Sequence, residues 1–423
     1  MTGPVPSPVV SGSKADAPGP RRSAVGAVRI LAVFHLADTT GPAKTLRPRL
    51  EALRGSSGSS LEVIAPGEGS LRGLYEDLGE VRTLAYEPLT VPNGVVAALK
   101  AVRLLRREVV AFRREIRRAR PDLVIVVTAV LPAALIAARL EGLPTVVYVG
   151  EIFAKGHVEG RMRALGGRLT ARLCEALADR LVCCSETVAA QFPRHGKAVT
   201  IYPGISEVYA HGDRDGFRSR HGLEDASPLI AVVGNVCAAR GQDTAVRALP
   251  AIRERLPDAQ LMIAGLPHPR PVDQAFAADL SDVVCELGLE QSVLFTGFVE
   301  RVGDVYAAAD VIMNPARFNE PFGRVALEAL VAGRPVVASS VGAIPEVLRD
   351  GRDALLVPRD DPQAFADSVV RVAEDPEMSS RLVAEGGRRA RRDFAESRGV
   401  ATFERVVAEV LGEHRAVAGH EVS

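Results

Sequence analysis

The 423-residue sequence predicts an α/β protein made of two doubly wound parallel-sheet domains that face each other across an interdomain cleft. Three observations predict it. The length is nearly three times the roughly 150 residues of a typical domain. Short β-branched, apolar runs alternate with stretches of helical periodicity, the pattern of a parallel sheet covered by helices. The alternation comes in two series with a polar segment between them.

Residues 1–26 are rich in Pro, Gly, Ser and Ala and have no apolar core, so they read as a disordered leader rather than a signal peptide. The first domain, 27–205, opens on the apolar run 28–35. This breaks at Asp38, Gly41 and Pro42 and passes into a helical pattern through Leu46, Leu50 and Leu53: strand, tight loop, helix. Further buried-type strands follow at 61–64, 123–127, 145–149 and 180–184. The polar segment 206–228 reads as a linker. A second domain, 229–395, carries strands at 229–233, 259–264, 292–295, 309–313, 335–338 and 354–357. The remainder, 396–423, is expected to be a helix crossing back to the first domain. Ligands of open α/β sheets sit at the carboxyl ends of the strands, and in two-domain proteins between the domains.

Composition narrows the function classes. Hydrophobic residues at 47% and charged residues at 25% exclude global disorder. Basic and acidic residues both number 52, so net charge points to no nucleic-acid partner. Their distribution is uneven: 28 basic and 18 acidic residues lie within 1–205, against 24 and 34 beyond, a split of +10 and −10. The front half is thus basic and the rear half acidic. Five cysteines, an odd number with no CxxC pair, fit a reduced, cytoplasmic protein. The longest apolar run, 123–138, is interrupted by Pro132 and is too short for a membrane span. Residues 95–120 form a basic helical pattern with Val95, Leu99, Val102, Leu105, Val109, Phe112 and Ile116 on one stripe. Such a helix suits weak association with an anionic membrane, at its inner face, or ordinary docking of its stripe on the sheet.

Two stretches carry chemistry. Behind the strand 229–233, the loop from Gly234 through Asn235 to Arg240 and Gly241 leads into a helix, an arrangement that offers backbone N–H groups and a fixed cation to phosphate. The loop alone fits a packing turn equally well. The second stretch, 315–330, holds Glu320 and Glu328 in an E-x7-E spacing. With a helix starting near Gly323, Glu320 lies in the preceding loop and Glu328 more than one turn inside. They are then no close dyad, but suit a ligand lying along the helix start, its hydroxyls taken by one carboxylate at each end. A solvated helix face is the alternative. Asp213 and Asp215 form a D-x-D in the linker, and Asp360 and Asp361 lie in a loop, so no metal is expected.

The segments 294–299, 320–328, 333–338 and 342–346 resemble the retaining glycosyltransferases of family four, whose fold is GT-B. Segments 234–243, 178–186, 202–205 and the loop at Gly41 resemble it as well. The resemblance implies that Glu328 accepts bonds from a nucleotide ribose and that Glu320 holds a hydroxyl of the donor sugar. It implies too that amides from Phe322 through Gly323 and Arg324 to Val325 face sugar and phosphate. Glu320 and Arg240 are then the catalytic candidates, and Gly234, Asn235 and Arg240 the diphosphate loop. Arg240 stands where the family usually has Lys, and Asn235 where it usually has Arg, so one of two cationic clamps is missing. Arg324 either compensates or faces solvent. Gly41, Glu151 and His157 are the acceptor-side candidates. A nucleotide-sugar donor, most often a uridine one, and a hydroxyl acceptor are the implied substrates, with no cofactor. An epimerase of the same fold or a silent nucleotide-sugar binder is the rival reading.

Overall fold

The computed structural model describes residues 27–55, 58–88, 95–152, 161–192 and 196–420. The segments 1–26 and 421–423 and residue His157 lie outside the described residues.

Seven strands form the first sheet: β1 Arg29–Phe34, β2 Ser60–Ala65, β3 Glu80–Thr83, β4 Leu123–Val127, β5 Thr145–Val149, β6 Arg180–Cys183 and β7 Ala198–Thr200. They are parallel and ordered β3-β2-β1-β4-β5-β6-β7. Six more form the second: β8 Leu229–Val233, β9 Gln260–Ala264, β10 Val293–Gly297, β11 Val311–Asn314, β12 Val336–Ser339 and β13 Leu355–Val357. These too are parallel, ordered β10-β9-β8-β11-β12-β13. Both sheets reverse their winding beside the first strand, at β1/β4 and at β8/β11, where doubly wound sheets open a crevice for ligands. The central strands β4 and β5 are buried at every position, because helices cover both faces.

β3 and β7 escape the sequence reading. They lie at the two edges of the first sheet, and their four and three residues bury only Val81 between them. The linker also differs from the expectation, for it contains the helix Arg214–His221 packed on the second domain. Arg214 and Arg218 each reach Asp310 at 2.7 Å and bind carbonyls at the end of the helix Val302–Ala308. Asp213 of the D-x-D is this helix's N-cap, accepting from Gly216 N at 3.0 Å.

Two chain crossings join the domains. Residues 201–205 leave the first, and 393–396 return to it, with Ile205 N donating to Phe394 O at 2.9 Å. A Cβ on Gly204 would lie 2.3 Å from Glu396 Cα, so only glycine lets the crossings touch. The helix Glu396–His420 then lies on the first domain: Phe403 packs 5.7 Å from the fully buried guanidinium of Arg49, and Glu413 pairs with Arg180 at 2.6 Å. Arg49 itself donates to Tyr202 O at 2.9 Å and tethers the first crossing.

Candidate active site

Arg240 and Glu320, 80 residues apart, meet in the cleft: Arg240 Nη1 donates to Glu320 Oε2 at 2.9 Å. Local backbone puts them there. Gly241, at φ +69°, starts the helix Gln242–Arg255, and a Cβ on it would fall 2.1 Å from Pro315 O. The glycine thus lets the Arg240 loop lie against the loop that carries Glu320. Gly234 and Gly265, both at positive φ, bring the ends of β8 and β9 into similar contact, with Gly234 N bonded to Ala264 O at 2.9 Å. Arg240 also lies 5.1 Å above the Phe318 ring, which fixes its plane.

Gly323, at φ +91°, is the N-cap of the helix Arg324–Val331. The first-turn N–H groups have no intrahelical acceptor and are free to meet an anion. Gly323, Arg324 and Val325 line a cavity of about 280 Å³ together with Arg240, Phe318 and Glu320. Gly41, Thr45, Tyr148, Gly150, Cys184 and Pro203 close it from the first domain. The cavity is therefore interdomain.

Other expected residues fall nearby but elsewhere. Glu328 is buried and does not line this cavity; Tyr306 Oη donates to its Oε2 at 2.8 Å, and Arg324 pairs with Oε1 at 3.1 Å. Arg324, which lines the cavity, is largely withdrawn from solvent. One helical turn from Glu328, its guanidinium turns to that carboxylate and on to Thr45 Oγ1 and Gly204 O in the first domain. Asn235 pairs with His268 Nε2 at 2.7 Å, and its carbonyl accepts from Gln242 Nε2 at 2.9 Å. His268 escapes the sequence reading because a lone histidine in a Pro-rich loop carries no signal.

Glu151, one of the residues expected on the acceptor side, follows β5 and accepts from Ala129 N at 2.8 Å and Gly150 N at 2.9 Å. Burial pushes its carboxyl up to about 7, and these two N–H groups oppose the rise. Its neighbours at the sheet's switch point were also missed. His35 follows β1, and burial holds its imidazole below the ordinary range. Thr128 follows β4 at φ +87°, a strained backbone for a β-branched residue and a feature that clusters at functional sites.

The basic helix, Val95–Ala119, buries Phe112 and Ile116 as its stripe requires, but Val102 of the same stripe is exposed, as are Leu104 and Val110. Arg113 and Arg117 hold Glu141 at 2.6 and 3.0 Å, so part of the basic face is tied down. Among the described residues no helix is long and apolar enough to cross a membrane.

Two facing parallel-sheet domains with this cleft define the GT-B class. Residues 49–207 match the model described as Glycosyltransferase Family 4, and 227–375 the one described as Glycosyl transferases group 1. The chain belongs to this family of glycosyltransferases. A D-inositol 3-phosphate glycosyltransferase of Streptomyces avermitilis is 30% identical over 256 residues, 58% of this chain and 55% of that one. Another, of Mycobacteroides abscessus, is 36% identical over 172 residues, 40% of this chain and 37% of its own. The chain thus spans about half the length, or less, of these curated relatives. HepE of Anabaena, solved with UDP and glucose, shares the fold with a TM-score of 0.74 at 21% identity, over 91% of this chain and 99% of that one. Sucrose-phosphate synthase of Thermosynechococcus elongatus does so with the same TM-score and identity, over 91% and 100%.

Proposed function

We propose that the protein is a retaining glycosyltransferase that moves a sugar from a nucleoside-diphosphate sugar, with uridine as the nucleoside, to a hydroxyl of a small-molecule, glycan or lipid-linked acceptor. The observation that carries this reading is the Arg240–Glu320 pair beside the helix start at Gly323, Arg324 and Val325, inside an interdomain cavity. Such a site offers a cation and N–H donors to a diphosphate and a carboxylate to a sugar hydroxyl, a few ångströms apart. The named activity of the inositol-phosphate relatives supports glycosyl transfer, and the UDP-glucose complex of HepE supports the donor class.

Cleaving a sugar–phosphate bond builds negative charge on the diphosphate and positive charge on the sugar. Preorganised donors stabilise the first, and in a cleft closed to water they act at low dielectric. Arg240 supplies the side-chain charge, for Asn235 has none to offer. Glu320, held by Arg240, accepts from a sugar hydroxyl and fixes the ring. Configuration is retained by a front-face route, in which the departing phosphate takes the acceptor's proton on the face it leaves. Glu328 takes the ribose hydroxyls, with Tyr306 and Arg324 fixing its orientation. No metal is needed where Arg240 and the amides carry the charge. The acceptor lies against the wall made by Gly41, Tyr148 and Gly150. Weak docking at an anionic membrane surface goes with the exposed Val102, Leu104 and Val110 beside Arg103, Arg106, Arg107 and Arg114.

Incubation of the purified chain with a panel of nucleotide sugars, read by mass spectrometry and NMR, tests the reading. A transferase hydrolyses its donor slowly without acceptor. An epimerase alters the sugar instead, and a silent binder leaves every donor intact.

A further inference from the structure

Glu346 does not line the cleft, yet its carboxylate is fully engaged across the domain boundary. It sits in the short helix Ile344–Val347 of the second domain. Its Oε1 accepts from Glu186 N at 2.7 Å, and its Oε2 from Thr187 N at 2.9 Å and Thr187 Oγ1 at 2.7 Å. These donors open the helix Glu186–Ala189 of the first domain, where the backbone N–H groups have no acceptor of their own. Three bonds to one ionised acceptor are the strong kind.

Both ends of this link are anchored at the cavity. On the second-domain side, Ala343 N donates to Glu320 O at 2.8 Å. Gly342, at φ +56°, lies so close under that loop that a Cβ would be 2.4 Å from Glu320 O. Ile344 Cδ1 occupies the space beside Gly323, 2.5 Å from where a Cβ would stand. Arg389 Nη2 donates to Glu346 O at 3.1 Å and holds the short helix from behind. On the first-domain side, Cys184 stands just before the helix's N-cap, Ser185; it lines the cavity, and its thiol donates to Pro321 O at 3.5 Å.

We propose that Glu346 is a positioning residue. Its carboxylate latches the 185–187 turn of the first domain to the loop that carries Glu320, and so holds the closed arrangement in which the Arg240–Glu320 pair faces the acceptor wall. The catalytic consequence rests on the function proposed above, whereas the latch rests on these contacts alone. On that function the nucleotide is held by second-domain residues, Arg240 and Glu328 among them, so the latch governs turnover rather than nucleotide affinity.

The test uses the full chain and Glu346→Gln, which keeps the side chain's shape but turns an NH₂ group toward N–H donors. Hydrogen exchange read by mass spectrometry should quicken about tenfold at the Glu186 and Thr187 amides, the loss of one charge-assisted bond. Exchange in the helix Arg324–Val331 should stay as in wild type. Turnover of the donor identified by the panel should fall about tenfold, with the affinity for UDP, measured by calorimetry, unchanged. Thr187→Val removes one donor of the three and should have a smaller effect, and the double variant should lose no more than Glu346→Gln alone. Unchanged exchange at 186–187 overturns the latch. Faster exchange with unchanged turnover, or UDP affinity falling in step with turnover, overturns the positioning role. Absence of UDP binding by the wild type would count against the uridine reading, and the exchange measurement would still decide the latch.

Discussion

The guanidinium of Arg240 and the carboxylate of Glu320 form an ion pair at 2.9 Å, the arginine about one-quarter and the glutamate about one-tenth exposed along their side chains. Each has a separate expected task, one on the diphosphate and one on the sugar, yet the fold makes them partners before any ligand arrives. Pairing lets both charges wait in a partly dehydrated cleft without bearing the full cost of burial. It also means that a change in either residue is felt by the other.

The two glutamates of the E-x7-E should separate by phenotype. Glu328→Gln should weaken UDP binding about tenfold or more, the worth of a hydrogen bond to a charged group, whereas Glu320→Gln should lower turnover and leave UDP affinity near wild type. Tyr306→Phe, which removes one bond to Glu328, should follow Glu328→Gln at smaller amplitude. Calorimetry with free UDP decides this, and equal losses in both Glu variants would contradict the assignment.

Gly342→Ala should harm the site from outside it. A Cβ there would press on the Glu320 backbone at 2.4–2.5 Å and in a left-handed conformation. A cost of roughly 1–3 kcal/mol in stability is expected from the backbone alone, with turnover falling further than Tm would suggest because Glu320 is displaced. Thermal unfolding beside single-turnover rates makes the comparison.

Glu151 sets a pH dependence whose sign is fixed. Its carboxyl lies at about 7 in the folded chain and near the usual 4.5 when unfolded, so the folded state holds the extra proton between those values. Its stabilising contribution is complete below about pH 4.5 and is lost as pH rises through about 7. Glu151→Gln should remove this component, and denaturant unfolding at pH 5.5 and 8.0 should show a smaller difference in the variant than in wild type.

The basic helix is tested by sedimentation with anionic vesicles at moderate salt. Arg113 is excluded from the substitution because it holds Glu141 at 2.6 Å. Replacing Arg106, Arg107 and Arg114 by Gln should abolish sedimentation. A wild type that never sediments would make the helix purely structural and the acceptor soluble.

Much of the fold was legible because its central strands are unbroken β-branched and apolar runs, as at 123–127 and 229–233, which need no partner to be recognised. The edges were not: β3 reads Glu-Val-Arg-Thr, with one residue to bury, and β7 has only three residues. The helix Arg214–His221 was hidden by its polarity, since it is held by Arg214 and Arg218 on Asp310 with Phe217 as its main apolar anchor. At the site, Arg240, Glu320 and Gly323 were each visible from their loops. Their contact was not, for no spacing reports that residues 80 apart will pair. The partners of Arg324, Thr45 and Gly204, lie in the other domain, which no local spacing reports. Thr128 and His35 take their meaning from sheet order, which one strand at a time does not reveal.

The central claim is that Arg240 is the principal side-chain cation on the departing diphosphate, and single-turnover rates at saturating donor test it most directly. Removing one preorganised donor to developing charge typically costs about 3–4 kcal/mol, or roughly a hundred- to thousandfold in rate. Arg240→Met should show that loss, Arg240→Lys much less of it, and Asn235→Arg in the Arg240→Met background a partial recovery, since Asn235 opens the same loop. Unchanged turnover in Arg240→Met would contradict the account: the loop would then be a packing turn, and the phosphates would be held at the helix start after Gly323.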